Sequence, residues 1–431
     1  MEPLLRKESK YQKTKIGCLP HDWELKKLGD IAEFWNGKAH EQAIDDNGEY
    51  IVINSKFVSS DGKTSKFCNE LISPLKQKDI AIVMSDIPNG KAIAKCFSVE
   101  IDDKYSLNQR IGGIRSTRVV PEFLHYVLNR NSYFLKFDDG VQQTNLRKDD
   151  MLNCPVQLPP VDEQESIAEF LKAIDKKIEL INNKIAYTQE LKKGLLQKLF
   201  SLGIGIQDEK ANWQPHNKFE NGKPSTWLPK RLDELASVER GKFSARPRND
   251  PKYFGGSMPF VQTGNITNSK LYVEEYKQTL NEDGLLVSKT FPVGTILITI
   301  AANIGDVAIT KFEVACPDSL VGIIAEEEIC NYWLYYALQM KKSELDSKAT
   351  QNAQKNINLQ VLNPLTFNVP PLSEQKEISS ILLTVDKKLN LLDKQNRQTK
   401  LLKKGLMQKL LTGKWRIKAE ETFENQTVLE A

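Results

Sequence analysis

The sequence has no CxxC or HExxH spacing, no long apolar run and only four histidines. Each shortage excludes something. The six cysteines, Cys18, Cys68, Cys96, Cys154, Cys316 and Cys330, never fall within five residues of one another, so their spacing offers no zinc-ligand pair. The N-terminus lacks a basic, apolar, cleavage-site pattern, and reduced thiols in a cytoplasmic protein are the expectation. No apolar stretch approaches the ~18 residues that span a bilayer, so no membrane is expected as a partner. His21, His40, His125 and His216 are scattered, which argues against catalytic or metal-binding roles. A surplus of charge is missing as well. Sixty basic residues against 56 acidic ones leave +4, so a polyanionic partner would have to be recognised by local clusters.

Catalytic motifs are also absent. Gly62-Lys63-Thr64 resembles the end of a phosphate-binding loop, but Phe57 stands where its first glycine belongs, and the segment reads as a turn. Gly203-Ile204-Gly205 lacks the third glycine and the preceding strand of a dinucleotide fingerprint, and reads as a linker. Asn363-Pro364-Leu365 departs from the Asn/Asp-Pro-Pro-aromatic motif that holds a flipped adenine. With no acidic cluster at metal-ligand spacing either, the chain reads as a non-catalytic binding scaffold.

What is present is an internal repeat. Residues 159–200 and 370–411 align without a gap at an offset of 211, sharing Pro159/Pro370, Pro160/Pro371, Glu163/Glu374, Gln164/Gln375, Ile167/Ile378, the DKK triplets from Asp175 and Asp386, and LKKGLxQKL from Leu191 and Leu402. Earlier in each half, Pro20, Trp23, Leu28 and Gly37-Lys38 match Pro224, Trp227, Leu232 and Gly241-Lys242 at an offset of 204. Phe123-Leu124-His125-Tyr126 matches Trp333-Leu334-Tyr335-Tyr336 at an offset of 210. Two homologous halves thus carry a lead-in, a variable region and a long helix in the same order.

The helices announce themselves by heptad spacing. Ile167, Leu171, Ile174, Ile178, Ile181 and Ile185 step by four and three, as do Ile378, Leu382, Val385, Leu389 and Leu392. This predicts two helices of about 40 residues, each ~60 Å long, packed on one another through a narrow seam. The alternative is that each stripe is buried only on its own domain. Pro159-Pro160 and Pro370-Pro371 mark the starts, with Asp162 and Ser373 as candidate N-caps. Lys192, Asn396 and Lys403 interrupt the seam, and Gly194 and Gly405 weaken each helix near its end. The variable regions alternate β-branched runs, such as those at 80–84, 295–300 and 321–325, with turn-rich segments, and each then enters a helical stretch, 121–137 and 330–346.

This order resembles the specificity subunit of type I restriction–modification systems, and the likeness covers nearly the whole chain. LPPVDEQ (158–164) and VPPLSEQ (369–375) are similar to that family's junctions, LKKGLMQKLLTGK (402–414) to its C-terminal ending, and ERGKFSARPRNDPKYFGGSMPFVQTGNI (239–266) to the opening of its recognition domains. FWNGKAHEQAIDDNGEYIVINSKFV (34–58) keeps the glycine and the strand but departs in between. The resemblance implies an α+β fold: two homologous mixed α/β target recognition domains separated by two long antiparallel, coiled-coil-like helices with pseudo-two-fold symmetry. The corresponding segments are a lead-in (1–27), recognition domain 1 (28–158), a central helix (159–202), a linker and second lead-in (203–231), recognition domain 2 (232–369), a distal helix (370–412) and a tail (413–431).

The resemblance further implies a bipartite, asymmetric double-stranded DNA target, two modification (methyltransferase) subunits and two restriction–translocation subunits as partners. No cofactor is expected on this chain; S-adenosylmethionine, ATP and magnesium belong to the partners. The candidate DNA-contacting residues are Lys38, Lys56, Lys63, Lys66, Asn108, Gln109, Arg110, Gln142, Gln143, Asn145 and Arg147 in the first domain. In the second they are Arg240, Lys242, Arg246, Arg248, Gln262, Asn265 and Asn268. Arg and Lys suit phosphates and guanine, Asn and Gln suit adenine. The seam residues, Ile167 to Ile185 and Ile378 to Leu392, are the candidates for helix pairing and subunit docking. Two other readings are a duplicated DNA-binding regulator without methyltransferase partners and a self-contained DNA enzyme.

Overall fold

The computed structural model describes residues 11–15, 17–87, 90–350 and 356–417. The first ten residues of the lead-in and the last fourteen of the tail lie outside these. Two compact units result, Met1–Ile181 with Gln395–Ala431, and Asn182–Lys394.

In the first unit, strands β1 (Ala32–Asn36), β2 (Ile80–Val83), β3 (Cys96–Ser98) and β4 (Ile111–Ser116) form an antiparallel sheet in the order β1-β4-β2-β3. All four residues of β2 are buried, which explains its unbroken apolar run. A smaller sheet joins Tyr50–Ile53 to Phe67–Cys68 and to Tyr105–Leu107. Helix α1 (Pro121–Leu128) is shorter than its apolar pattern suggests, because the chain turns at Asn129–Arg130 and only then forms Ser132–Leu135. Arg130 has a φ of 56°, and its N–H and guanidinium donate to the carbonyls of Ala94 and Ile93, a tertiary anchor that the helical pattern does not encode.

The second unit repeats the plan. β5 (Ala236–Arg240), β6 (Tyr272–Val273), β7 (Ile296–Thr299), β8 (Val307–Thr310) and β9 (Leu320–Ala325) order as β5-β9-β7-β8-β6, with β6 parallel to β8. Helix α2 (Asn331–Met340) ends before a separate Lys342–Thr350 helix, again splitting one expected stretch. In both units the recognition segment is closed by a two-stranded antiparallel ladder. Glu24–Lys27 pairs with Pro155–Leu158, and Leu228–Arg231 with Thr366–Val369. The chain therefore enters and leaves each segment side by side.

The long helices run from Val161 to Leu202 and from Leu372 to Leu410. Asp162 and Ser373 are not N-caps but lie inside the first turn. Pro160 and Pro371 precede the helices, and their carbonyls accept the first amide bonds, from Glu163 and Gln164 and from Gln375. Within the first unit the central helix meets the end of the distal one and the segment just after it, with Asp175 at Lys403 and Glu163 at Arg416, so the two run antiparallel. In the second unit Asp386 meets Lys192, and Leu199 shares a core with Ile378 and Leu382, in the same antiparallel sense. The seam also reaches each unit's sheet: Ile167, Leu171 and Leu410 share a core with Ile80, Ile82 and Phe123, while Ile378 and Leu382 share one with Ile296 and Trp333. Helix pairing and burial on the home domain therefore both operate.

A polar clasp secures each junction. Trp23 Nε1 donates to Glu163 Oε2 at 3.1 Å, and Trp227 Nε1 to Glu374 Oε2 at 2.9 Å. The neighbouring glutamine works in both directions. Gln164 accepts from the Val120 N–H and donates to the Pro159 carbonyl, and Gln375 does the same with Cys330 and Pro370. Val120 and Cys330 stand at the starts of α1 and α2. A carboxylate at 164 or 375 could accept but not donate, hence Glu-Gln in that order twice.

The buried charges are satisfied differently. Glu163 receives two bonds from Arg416, which also grips Asp22, and the side chains of Glu163 and Arg416 are 7% and 11% exposed. Glu374 receives His216 and the amides of Ile204 and Gly205. Breaking a buried pair from one side leaves an uncompensated charge. Arg416→Ala is expected to destabilise the first unit by about 3 kcal/mol while leaving the second untouched, as read by hydrogen exchange of Glu24–Lys27 against Leu228–Arg231.

Candidate nucleic-acid interface

At the end of the first sheet, β1 runs into Gly37 and Lys38. The Gly37 N–H donates to the Ile111 carbonyl and the Lys38 N–H to the Leu107 carbonyl, which lays residues 37–38 against the turn Asn108-Gln109-Arg110. A Cβ on Gly37 would lie 2.1 Å from the Asn108 carbonyl oxygen, so only glycine permits this approach. The Met84 N–H donates to the Arg110 carbonyl, the Leu146 N–H to the Met84 carbonyl, and Thr144-Asn145 pairs with Ser85-Asp86. Gln143 Nε2 donates to Ser85 Oγ at 2.7 Å. On the other side, the Asn108 N–H donates to the Ile53 carbonyl, just before the Ser55–Ser59 helix that carries Lys56. The Val52 N–H donates to the Lys66 carbonyl.

Residues drawn from five separated segments thus share one strand-end edge: Lys38, Lys56, Lys66, Asn108–Arg110, Gln143 and Asn145. Lys63 lies in the loop between Lys56 and Lys66, next to Gly62 in its φ 79° turn. Gln142 and Arg147 flank the Thr144-Asn145 strand and are exposed. Among the described residues, no carboxylate pairs with Lys38, Lys56, Lys63, Lys66, Arg110 or Arg147. Exposed, unpaired cations keep their full charge for an anionic partner.

The loops around them are pre-shaped. Asp86 accepts the amides of Ile87, Ala92 and Ile93, and Asp139 those of Val141 and Gln142, which holds the Asp139 carboxyl below its ordinary range. Lys91, exposed in the Asp86 loop, is an edge residue that sequence reading missed. Only the fold brings its loop, through Asp86, beside Thr144.

The second unit builds the same edge with different chemistry. The Gly241 N–H donates to the Leu320 carbonyl and the Lys242 N–H to the Cys316 carbonyl, against the turn Pro317-Asp318-Ser319. A Cβ at Gly241 would meet the Pro317 carbonyl oxygen at 2.3 Å. Here the turn carries a carboxylate where the first unit carries an amide and an arginine. Arg248 pairs with Asp318 at 2.9 Å, and Arg240 Nε donates to the Asp318 carbonyl at 2.6 Å. Thr263 Oγ1 donates to Ser319 Oγ, placing Gln262 beside the turn, where it donates to Gln278.

Two predicted residues of this unit serve the fold. Asn265 is spent on local structure, accepting the Gln262 N–H and donating to the Glu275 carbonyl. Arg246 folds back onto the Ala245 carbonyl at 2.7 Å. Asn268 and Lys242 are exposed, and Asn303, unpredicted, donates to Thr267, the neighbour of Asn268.

The remaining chemistry is structural. His40 bridges the Lys38 carbonyl and Ser106 Oγ, and burial, then Lys403, lowers the His125 pKa to about 4. Burial pushes the Cys154 and Cys316 thiols up to about 12, which keeps them protonated. Among the described residues, no group of three His, Cys, Asp or Glu could hold a metal, and no helix is long and apolar enough to cross a membrane. The seam residues are turned inward: Ile167, Leu171, Ile181, Ile378, Leu382 and Leu392 are buried, while Ile174, Ile178, Ile185, Val385 and Leu389 are half-buried. They serve the helices, so a docking surface has to be sought on the outward faces.

Comparisons with known proteins agree over most of the chain. A family model described as the type I restriction modification DNA specificity domain matches residues 20–189 and again 224–401. The type I restriction enzyme MjaVIII specificity subunit of Methanocaldococcus jannaschii is 25% identical, over 96% of this chain and 97% of its own length. The EcoDI specificity subunit of Escherichia coli is 23% identical, over 93% and 91%. The crystal structure of a type I restriction-modification S subunit from M. genitalium shares the fold, with a TM-score of 0.60 at 15% identity over 95% of this chain and 99% of that one.

The edge geometry makes a differential prediction. Arg110→Ala removes an unpaired cation and should weaken DNA binding while lowering the salt slope by about 1. Asn265→Ala should alter stability instead and leave the slope unchanged. Binding isotherms at several salt concentrations separate the two.

Proposed function

Since the chain belongs to the type I restriction–modification DNA specificity family, we propose that it reads a bipartite, asymmetric double-stranded DNA target, one half with each edge. In this reading it is the non-catalytic specificity subunit of a complex with two modification subunits and, in the restriction form, two restriction–translocation subunits. S-adenosylmethionine, ATP and magnesium act on those partners.

One observation carries the proposal. The same clasped frame presents two edges of the same construction and unlike chemistry, Asn108-Gln109-Arg110 against Pro317-Asp318-Ser319. Base edges are distinguished by donor and acceptor pattern, so unlike edges select unlike half-sites. Replacing 232–369 with another recognition domain is expected to change one half of the methylated motif and leave the other intact. Base-resolution mapping of adenine methylation in the host, with and without this protein, supplies the readout. A motif altered in both halves would count against one edge per half-site.

The outer faces of the helices support the scaffold role. Leu180 and Leu391 are 53% and 60% exposed, and Leu191 and Leu402 are 56% and 58% exposed, each pair at the 211-residue offset. Exposed leucine retained at the same two places in both repeats fits one kind of partner seated twice, here the modification subunit. Leu180→Asp with Leu391→Asp should leave the fold intact by circular dichroism and abolish co-purification of the modification subunit. Retained co-purification would remove these leucines from the interface.

A further inference from the structure

Two lysines occupy seam positions where the heptad calls for an apolar residue, and the structure gives each the same surroundings. Lys403 pairs with Asp175 at 2.5 Å and lies over the Tyr126 ring, 5.2 Å from its centroid. Tyr126 donates its hydroxyl proton to the other oxygen of Asp175 at 2.9 Å. In the second unit Lys192 pairs with Asp386 at 2.7 Å and lies over Tyr336 at 5.4 Å, and Tyr336 donates to Asp386 at 2.6 Å. Both lysine side chains are 19% exposed, and the tyrosines are 8% and 0% exposed.

Each triad draws on three elements: the recognition-domain helix, the long helix that follows it, and the long helix of the other repeat. Core leucine packing is non-directional and tolerates small rotations. A lysine held by a carboxylate and a ring face, with that carboxylate also fixed by the ring's hydroxyl, does not. Burial, then the neighbouring Asp, raises both tyrosine pKa values, so the hydroxyl remains a donor. A leucine at 192 and 403 would stabilise the seam more simply, as polar seam residues cost stability and fix register.

We infer that Lys403–Asp175–Tyr126 and Lys192–Asp386–Tyr336 are positioning residues that fix the attitude of each recognition domain on its helix pair. They would thereby fix the spacer length that the two-part target must have. The inference rests on the bipartite reading above. It adds that spacer discrimination depends on these six polar side chains and not on helix length alone.

The test uses the chain co-expressed with its modification subunits, assayed for methylation on targets whose spacer is native, one base pair shorter or one longer. Lys403→Met and Lys192→Met keep most of the stem and remove the charge, whereas Lys403→Arg and Lys192→Arg retain it. Loss of one charged hydrogen bond predicts that the methionine variants lose about tenfold of the native-to-altered spacer preference, with the arginine variants keeping it. An unchanged preference in the methionine variants overturns the inference. So does an equal fall at every spacer, which would show a purely structural role; Leu171→Ala serves as the control for that behaviour. A wild-type complex that methylates without any spacer preference would instead refute the bipartite reading itself.

Discussion

A buried carboxylate, present twice, is the constraint on which the rest of each unit depends. Glu163 and Glu374 sit where recognition segment, lead-in and long helix converge, and a charge there is tolerated only with its bonds complete. The tryptophan N–H supplies one partner in both units. The others come from whatever chain follows the opposing helix: Arg416 in the first unit, His216 and two amides in the second. The junction therefore cannot form until the end of the partner helix has arrived. This couples the integrity of each recognition domain to helix pairing.

The same clasp explains the repeat's unequal offsets. The tryptophans are 204 residues apart and the glutamates 211, so the second recognition segment is longer by seven residues. Both nevertheless close the same bond, because the ladders Glu24–Lys27 with Pro155–Leu158 and Leu228–Arg231 with Thr366–Val369 bring entry and exit together whatever lies between. Length differences are absorbed between the ladders, where the second unit's main sheet gains the strand Tyr272–Val273 and where the entropy of closing longer loops grows slowly.

Features carried by periodicity were legible in the sequence. The heptads place Ile167, Leu171, Ile378 and Leu382 in cores, and the run at 80–84 is a buried strand. Features set by tertiary partners were not. Asp162 and Ser373 look like caps, but the prolines before them start the helices. Stretches 121–137 and 330–346 look continuous, yet Arg130 is drawn away by Ala94 and Ile93. Lys192 and Lys403 read as seam defects until Asp386, Tyr336, Asp175 and Tyr126 stand beside them. The edge was legible only as separate fragments, because strand pairing, not chain order, sets Lys38 against Asn108 and Asn145 against Ser85. Nothing local distinguishes Asn265, held by its own helix start, from an exposed amide such as Asn145.

The division between frame and edge follows from what each position must satisfy. At Gly37 and Gly241 the backbone approach leaves no room for a Cβ, and at Gln164 and Gln375 one side chain must both accept and donate. Those positions have one solution and hold it in both halves. Apart from the buried Pro317, the turn side chains that follow reach solvent, and surface substitutions there cost little stability. Asn108-Gln109-Arg110 could therefore diverge from Pro317-Asp318-Ser319 without disturbing the backbone bonds that hold the two turns alike. Asp318 then holds Arg248 by its carboxylate and Arg240 by its backbone carbonyl, so the second edge meets an anion with cations already oriented by a neighbour, while the first offers Arg110 and the lysines unpaired. One frame thus carries two chemically distinct surfaces, because the bonds that make the frame lie in backbone and buried side chains and leave the edge residues free.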